Sequence, residues 1–302
     1  MEIEKLMRAL PGAKITSVNP YNPIRRFKKI GYISLNYKTM ENYLEINKKS
    51  WNAKVDPHLK SDFYFVDEFL QGRSSLNSIE LELLGEVSGK SILHLQCHFG
   101  QDSISLSRIG AEVTGVDLSD KAIEAAQDLA KKCGTDTKFI CSDVYTLPDI
   151  LDEKFDIVYT SYGVIGWLPD LDQWAAVISH FLKPGGKFVM AEFHPAVWMF
   201  DDDFTKVTYS YFNEKPILET YEGTYADKSA DIVQEYVMWN HSLGEVLQNL
   251  IKHKIGIDTF QEFDWSPYPC FNHVEEFEKG KWRISQFGNK MPLVYSLKGQ
   301  KK

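Results

Sequence analysis

The chain has 302 residues, 43% hydrophobic and 13% aromatic, with a formal net charge of −8 at pH 7. That length supports a sizeable core and one extra subdomain, and the acidic balance argues against a nucleic-acid or anionic-membrane partner. No apolar run approaches the ~18 residues of a membrane span. The four cysteines (Cys97, Cys133, Cys141, Cys270) form no C-x-x-C pair, and no secretory signal is read ahead of them, which predicts a reducing, cytoplasmic setting.

Residues 1–39 hold eight Lys/Arg against Glu2 and Glu4. Their Asn19–Arg26 stretch is turn-rich and without periodicity, so the region reads as a flexible basic extension, with a docking arm as the alternative. More ordinary sequence begins at Met40, which is read as the natural start. Met40–Asn52 is predicted as a helix, with Thr39 as N-cap and Tyr43, Leu44, Asn47 and Trp51 along one side. Ser78–Leu84 is a second helix. Residues 40–85 thus form a helical cap. Its aromatics, Trp51 and Tyr64 among them, either wall a pocket or pack the cap onto a sheet.

Lys90–Asp117 organises the rest. Ser91–Leu95 is a buried strand broken only by His94, Gln101–Ile109 a short helix, and Glu112–Val116 a second strand with Asp117 as its last residue. Gly110 sits where a helix end wants positive φ. In a parallel α/β sheet, ligands bind beyond the carboxyl ends of the strands. The loop Gln96–Gly100 would meet a nucleoside there, and Asp117, about 20 residues on, would accept from ribose hydroxyls. Only Gly100 remains of a G-x-G-x-x-G pattern. No seat for a pyrophosphate is visible, which argues against an NAD or FAD enzyme.

Ser119 caps the next helix, whose apolar stripe is Ala122, Ile123, Ala126, Leu129 and Ala130, and Gly134 ends it. A third strand, Thr137–Cys141, delivers Ser142, Asp143 and Val144. Asp143 is a candidate acceptor for an adenine amino group, or simply caps the next turn. The fourth strand, Phe155–Thr160, leads to Ser161 and Tyr162. A helix from Asp170 or Asp172 buries Leu171, Trp174, Ala175, Ile178 and Phe181. Leu182–Gly186 reads as a sharp turn and Lys187–Phe193 as the fifth strand. Strands alternating with helices predict a doubly wound parallel sheet.

The order of these parts resembles class I S-adenosylmethionine-dependent methyltransferases. The likeness runs from about Met40 to the end. It rests on the Ile92–Gly100 loop, V-T-G-V-D-L-S with Asp117, C-S-D-V with Asp143, F-D-I-V-Y-T-S, W-L-P-D-L, and L-K-P-G-G before a strand. The L-Q-C-H-F-G-Q-D loop with the later E-F-H-P resembles a bacterial subgroup. The resemblance implies a Rossmann-like seven-stranded sheet, parallel with a C-terminal antiparallel strand, in one domain over 40–302. It implies S-adenosylmethionine as methyl donor, held by Gln96, His98, Gly100, Gln101, Asp117, Leu118, Ser142, Asp143, Val144 and Ser161. The family's first motif carries an acidic residue and D-x-G-x-G-x-G; here His94 stands at the acidic position and Gln96 and His98 replace glycines. The substitutions give His98 a side-chain role, or they are merely tolerated under loop packing.

Methyl transfer asks chiefly for positioning, with a base only where the acceptor must lose a proton. Tyr162, Glu192, His194 and His241 are weak base candidates near the sheet's carboxyl edge. Residues 195–240 interrupt the pattern. Val207–Phe212, Glu219–Tyr225 and Ile232–Trp239 suggest a small antiparallel excursion over the active face. With the cap it supplies an acceptor pocket that includes Trp51, Tyr64, Trp167, Glu192 and Tyr268, or a dimer surface. Asp201–Asp203 reads as a solvated turn, so no metal is expected. Ser242–Glu245 is a capping box, and Val246, Leu247, Leu250 and Ile251 bury the helix behind it. Ile257–Phe263 and Met291–Leu297 are the last strands. The expected partner is a small-molecule acceptor, with the chain a monomer or homodimer. The alternatives are a non-catalytic adenosyl-ligand sensor and, less well supported, a nicotinamide-dependent oxidoreductase.

Overall fold

The computed structural model describes residues 42–302. The expectations for residues 1–39, the Thr39 cap and the start at Met40 lie outside the described residues.

Five strands follow in alternation with helices: β1 (Ser91–Leu95), β2 (Glu112–Asp117), β3 (Lys138–Cys141), β4 (Phe155–Ser161) and β5 (Leu182–Phe193). They join β8 (Ile255–Phe263) and β11 (Val294–Lys301) in one seven-stranded sheet of order β3-β2-β1-β4-β5-β11-β8. β11 runs antiparallel to both neighbours, and the ladders among β1 to β5 are parallel. The order reverses between β1 and β4, and a crevice opens there at the strands' carboxyl ends.

Side-chain alternation splits the core between the two faces. On β1, Ile92 joins one cluster while Leu93 and Leu95 join the other; on β5, Val189 and Ala191 separate in the same way from Phe188 and Met190. α6 (Leu171–Phe181) and α7 (Leu243–Lys252) cover one face, with Trp174 fully buried edge-on to Phe188. α3 (Ser78–Leu84) covers the other. α4 (Gln101–Arg108) and α5 (Asp120–Cys133) pack around Phe99 and Phe139. The caps follow the sequence reading: Ser119 Oγ accepts from the Ala122 amide, and Gly134 ends α5 at φ 66.

Several boundaries differ from expectation. α1 runs Tyr43–Lys60, through Trp51 and past Pro57, because its buried residues continue on one side to His58. Leu182–Gly186 is not a turn before the strand. It is a bulge within β5, whose register against β4 jumps from Phe155↔Leu182 to Ile157↔Lys187, with Gly185 at φ 75. Val207–Phe212 forms no strand beyond the single Val207–Phe200 bridge: the Thr208 and Tyr209 amides both donate to the Met199 carbonyl, which folds the segment onto the preceding turn. The insertion keeps β6 (Ile217–Glu222) and β7 (Val233–Met238) as an antiparallel pair. Ile251 is 56% exposed rather than buried, since α7 uses only Val246 and Leu250 for full burial. The hairpin β9 (Val274–Glu278) with β10 (Lys281–Ile284) was not expected; its acidic first strand lacks an apolar face.

The cap and the insertion are joined in space. Asn47 on α1 bonds both the Val237 carbonyl and the Val237 amide, each at 2.8 Å, and Ser50 Oγ donates to Gln234 Oε1 at 2.8 Å. Together they form one wall facing the carboxyl ends of β1, β2 and β4.

Candidate active site

The loop after β1 keeps a glycine conformation without the glycines. Gln96, His98 and Gly100 have φ of 57°, 51° and 77°. For Gln96 and His98 the left-handed region costs roughly 1–2 kcal/mol each. The fold holds them there. The Cys97 amide donates to the Val116 carbonyl at 2.9 Å, the His98 amide to Asp117 Oδ2 at 2.8 Å, and Gln96 Nε2 to the Val164 carbonyl at 2.8 Å. Gln96 Oε1 is buried with no partner among the described residues. Gly100 is required on two counts. Besides its φ, an added methyl would meet the Phe139 ring at 2.5 Å and the Ala126 methyl at 3.1 Å. Gly100→Ala is expected to cost about 1–3 kcal/mol of stability, read as a lower urea midpoint at unchanged slope.

A cavity of about 1150 Å³ lies against this loop, and every residue read above as holding the cofactor lines it. Asp117 is built in by backbone donors: Oδ2 accepts from His98 and Oδ1 from Ser119, both at 2.8 Å. Burial nevertheless pushes its pKa up to about 6. Asp143 also faces the cavity. Burial raises its pKa, while the amides of Val144, Tyr145 and Thr146 oppose the rise, so the same carboxylate organises the following turn. His94 is neutral, its pKa lowered by burial to about 3, and pairs through Nδ1 with Ser103 Oγ at 2.8 Å. At the position where the family pattern has an acid, it therefore ties β1 to α4.

Sequence reading missed three polar residues here, Asp102 half-buried and His58 and Lys54 buried. Asp102, in the first turn of α4, lines the cavity; Ser75 Oγ donates to it at 2.6 Å and Ser161 Oγ at 3.3 Å. Among the described residues no cation pairs with it, and burial raises its pKa. His58, on α1, meets the His98 ring with Nδ1 to Nε2 at 2.9 Å. Burial holds both rings neutral, His58 with a pKa near 3, and the second nitrogen of each has no partner among the described residues. Lys54, one turn before His58, also lines the cavity. A carboxylate two residues past the loop glycine, and Lys54 and His58 at i, i+4 on a cap helix, were the available signals.

The expected pocket residues Trp51, Tyr64, Trp167, Glu192 and Tyr268 all line the cavity. Trp51 packs edge-on to both His98 and Trp167, at 5.2 Å each. Tyr64 shares a hydrogen bond with Tyr225 of the insertion. Tyr268 accepts from Asn77 Nδ2 at 2.7 Å and packs edge-on to Tyr162.

The base candidates separate. His194 does not line the cavity: Nε2 faces Glu262 Oε1 at 2.9 Å and Nδ1 accepts from the Ala196 amide at 3.1 Å. His241 lines it, yet its Nε2 donates to the Leu168 carbonyl at 2.8 Å and Nδ1 stands 3.0 Å from Glu245. Glu192 is saturated by the amides of Gly163, Phe193, Val164 and Ile165, two on each oxygen. It shapes the loop after β4 and has no capacity left for a substrate proton. Tyr162 alone lines the cavity with a proton path behind it. Its hydroxyl donates to Glu80 Oε2 at 3.0 Å, and burial raises Glu80 to about 7. Asp201 of the acidic triplet accepts from Thr205 and Lys206, as a turn does. Among the described residues no group of three or more His, Cys, Asp or Glu is placed to hold a metal, and no helix is long and apolar enough to cross a membrane.

Residues 92–186 match the methyltransferase domain family. A ubiquinone biosynthesis O-methyltransferase of Idiomarina loihiensis is 33% identical over 150 residues, 46% of this chain and 61% of that protein. A sterol 4-C-methyltransferase of Caenorhabditis elegans is 25% identical over 144 residues, 45% of this chain and 42% of that one. The chain thus spans about half the length of these curated relatives. The crystal structure of an S-adenosylmethionine-dependent methyltransferase from Methanosarcina mazei superposes with a TM-score of 0.52 at 20% identity, covering 75% of this chain and 98% of that one. A Clostridium acetobutylicum S-adenosylmethionine-dependent methyltransferase gives 0.51 at 14% identity, covering 84% and 98%. Domain match, strand order and fold together place residues 92–186 in the methyltransferase domain family, within a chain that shares the fold of S-adenosylmethionine-dependent methyltransferases.

Proposed function

We propose that the chain transfers a methyl group from S-adenosylmethionine to a small-molecule acceptor. The observation that carries this reading is the loop Gln96–Gly100, held in glycine-like geometry by Asp117 at the head of a large aromatic-walled cavity. The residues fit the cofactor. The orphaned Gln96 Oε1 faces a site that asks for a donor. Asp117 has lone pairs for ribose hydroxyls, and Asp143 with the Val144 amide suits an adenine edge. Asp102, half-buried and without a paired cation among the described residues, supplies the negative charge that His94 does not and would hold the α-ammonium of the methionine end. When bound, the cofactor supplies an electrophilic methyl on a positive sulfonium.

The chain's own residues orient and enclose. Glu192 fixes the loop that presents Trp167, and the wall formed by α1 and β7 excludes water. Tyr162 with Glu80 accepts a proton where the acceptor must lose one. The continuation of the cavity past the loop supports transfer over a sensor without an acceptor pocket. The ubiquinone- and sterol-modifying names of the relatives make an apolar organic acceptor the natural class. The free cysteines fit a reducing compartment such as the cytoplasm.

Titration calorimetry with S-adenosylmethionine and S-adenosylhomocysteine is the direct test. Saturable micromolar binding is expected, and absence of binding by folded protein would sink the proposal. Asp102→Asn, which keeps an acceptor for Ser75 Oγ and turns an NH₂ donor toward Ser161 Oγ, is expected to weaken S-adenosylhomocysteine by ~10-fold or more. Binding of 5′-methylthioadenosine, which lacks the amino-acid end, should be unchanged. Equal losses for both ligands would remove Asp102 from this role.

A further inference from the structure

Lys54 brings an amine into the cavity wall without a counter-charge. It is 5% exposed. Its Nζ stands 4.2, 4.9 and 5.6 Å from the ring centroids of Trp51, Trp167 and Tyr236. Ser50 Oγ, at 3.3 Å, is its one hydrogen-bond partner among the described residues, and no carboxylate of these residues pairs with it. The groups facing it are Tyr236 from β7, whose hydroxyl donates to Glu219, His58 one turn on in α1, and His98 from the loop after β1. Both imidazoles are neutral, so neither balances nor replaces the ammonium. Burying a lone ammonium is costly, and stacking on aromatic faces offsets only part of that cost. Burial accordingly lowers the Lys54 pKa to about 7. An arriving anion would restore both the charge and the missing partner.

We propose that Lys54 anchors a carboxylate of the methyl acceptor, so that the acceptor is a hydrophobic acid: an apolar body between the Trp51, Trp167 and Tyr236 rings, with its anionic end on the Lys54 ammonium. This rests on the methyltransferase reading above. The other source of the same chemistry is the carboxylate of the cofactor's methionine end. Lys54 and Asp102 line the same cavity, and the comparison below separates the two sources.

The test compares 2-naphthoate with its neutral isostere 2-naphthamide by calorimetry, with and without S-adenosylhomocysteine. Wild type is expected to bind the acid ~10-fold or more tightly than the amide. Lys54→Met should erase that preference and Lys54→Arg keep it, with both variants retaining cooperative unfolding and S-adenosylhomocysteine affinity. Affinity for the acid should fall by up to ~10-fold per pH unit above about pH 7, as Lys54 loses its proton, while the amide shows no such trend. Equal binding of acid and amide to wild type, or a preference that survives in Lys54→Met, would overturn the proposal. So would a ~10-fold loss of S-adenosylhomocysteine in Lys54→Met with 5′-methylthioadenosine unaffected, because Lys54 would then serve the cofactor. If wild type binds no S-adenosylhomocysteine, the methyltransferase reading fails on its own, and the comparison without it still decides what Lys54 binds.

Discussion

Asp117→Ala is expected to weaken S-adenosylhomocysteine binding by ~100-fold, measured by calorimetry on protein shown to be folded. Two hydroxyl donors on one buried carboxylate are worth about 3 kcal/mol together, which converts to that factor. The substitution also releases the His98 and Ser119 amides, each bonded to a different Asp117 oxygen at 2.8 Å, so the loop loses part of its geometry as well. Asp117→Asn keeps one acceptor and should lose ~10-fold. The pH dependence carries a sign. Burial raises the Asp117 pKa to about 6 in the free protein, and ribose donors favour the ionised form. Affinity should therefore decline as pH falls below about 6, and this decline should vanish in Asp117→Asn. Stability moves the other way. A folded-state pKa above the unfolded value of about 3.9 means that Asp117 opposes folding above pH 6, and the opposition is relieved as pH drops toward 4. A pH-independent affinity in wild type would remove Asp117 from the binding site.

Glu192→Ala is expected to cost about 3–5 kcal/mol of stability, the cost of breaking a buried charged network. Four amides converge on its two oxygens, among them Phe193 at 2.6 Å and Val164 at 2.8 Å. Alanine removes the acceptor of all four amides at once. Burial pushes the Glu192 pKa up and the amides oppose the rise, but only the ionised form gives two oxygens that both accept. Glu192→Gln tests this. It has the same shape, yet its NH₂ confronts two N–H donors, so it should still lose about 1–3 kcal/mol. Urea denaturation followed by tryptophan fluorescence reads both variants. A glutamine variant as stable as wild type would mean that Glu192 is protonated in the fold and that its role is not the ionic clamp.

The sheet core was legible because its signals are local. Ser91–Leu95, Ser78–Leu84 and the Ser119 cap appear where propensity, period and capping agree. Asp117 and Asp143 were legible from their places at strand ends, since a parallel sheet brings all its carboxyl ends to one edge. What the sequence could not show depends on partners far away in the chain. The glycine-like backbone at Gln96 and His98 exists because Asp117 and Val164 supply the hydrogen bonds. The pairing of the cap with the insertion rests on Asn47 and Val237, 190 residues apart. Glu192 reads as a candidate base until four amides are seen to occupy it. The Leu182–Gly186 bulge and the failed strand at Val207–Phe212 were decided by register and by a competing carbonyl, which override propensity. Local sequence therefore determined the class of fold and the strand edge against which the cavity lies. Tertiary structure decided which carboxylates are free to act and where the unpaired amine of Lys54 faces the cavity, because burial and partner choice belong to the assembled chain.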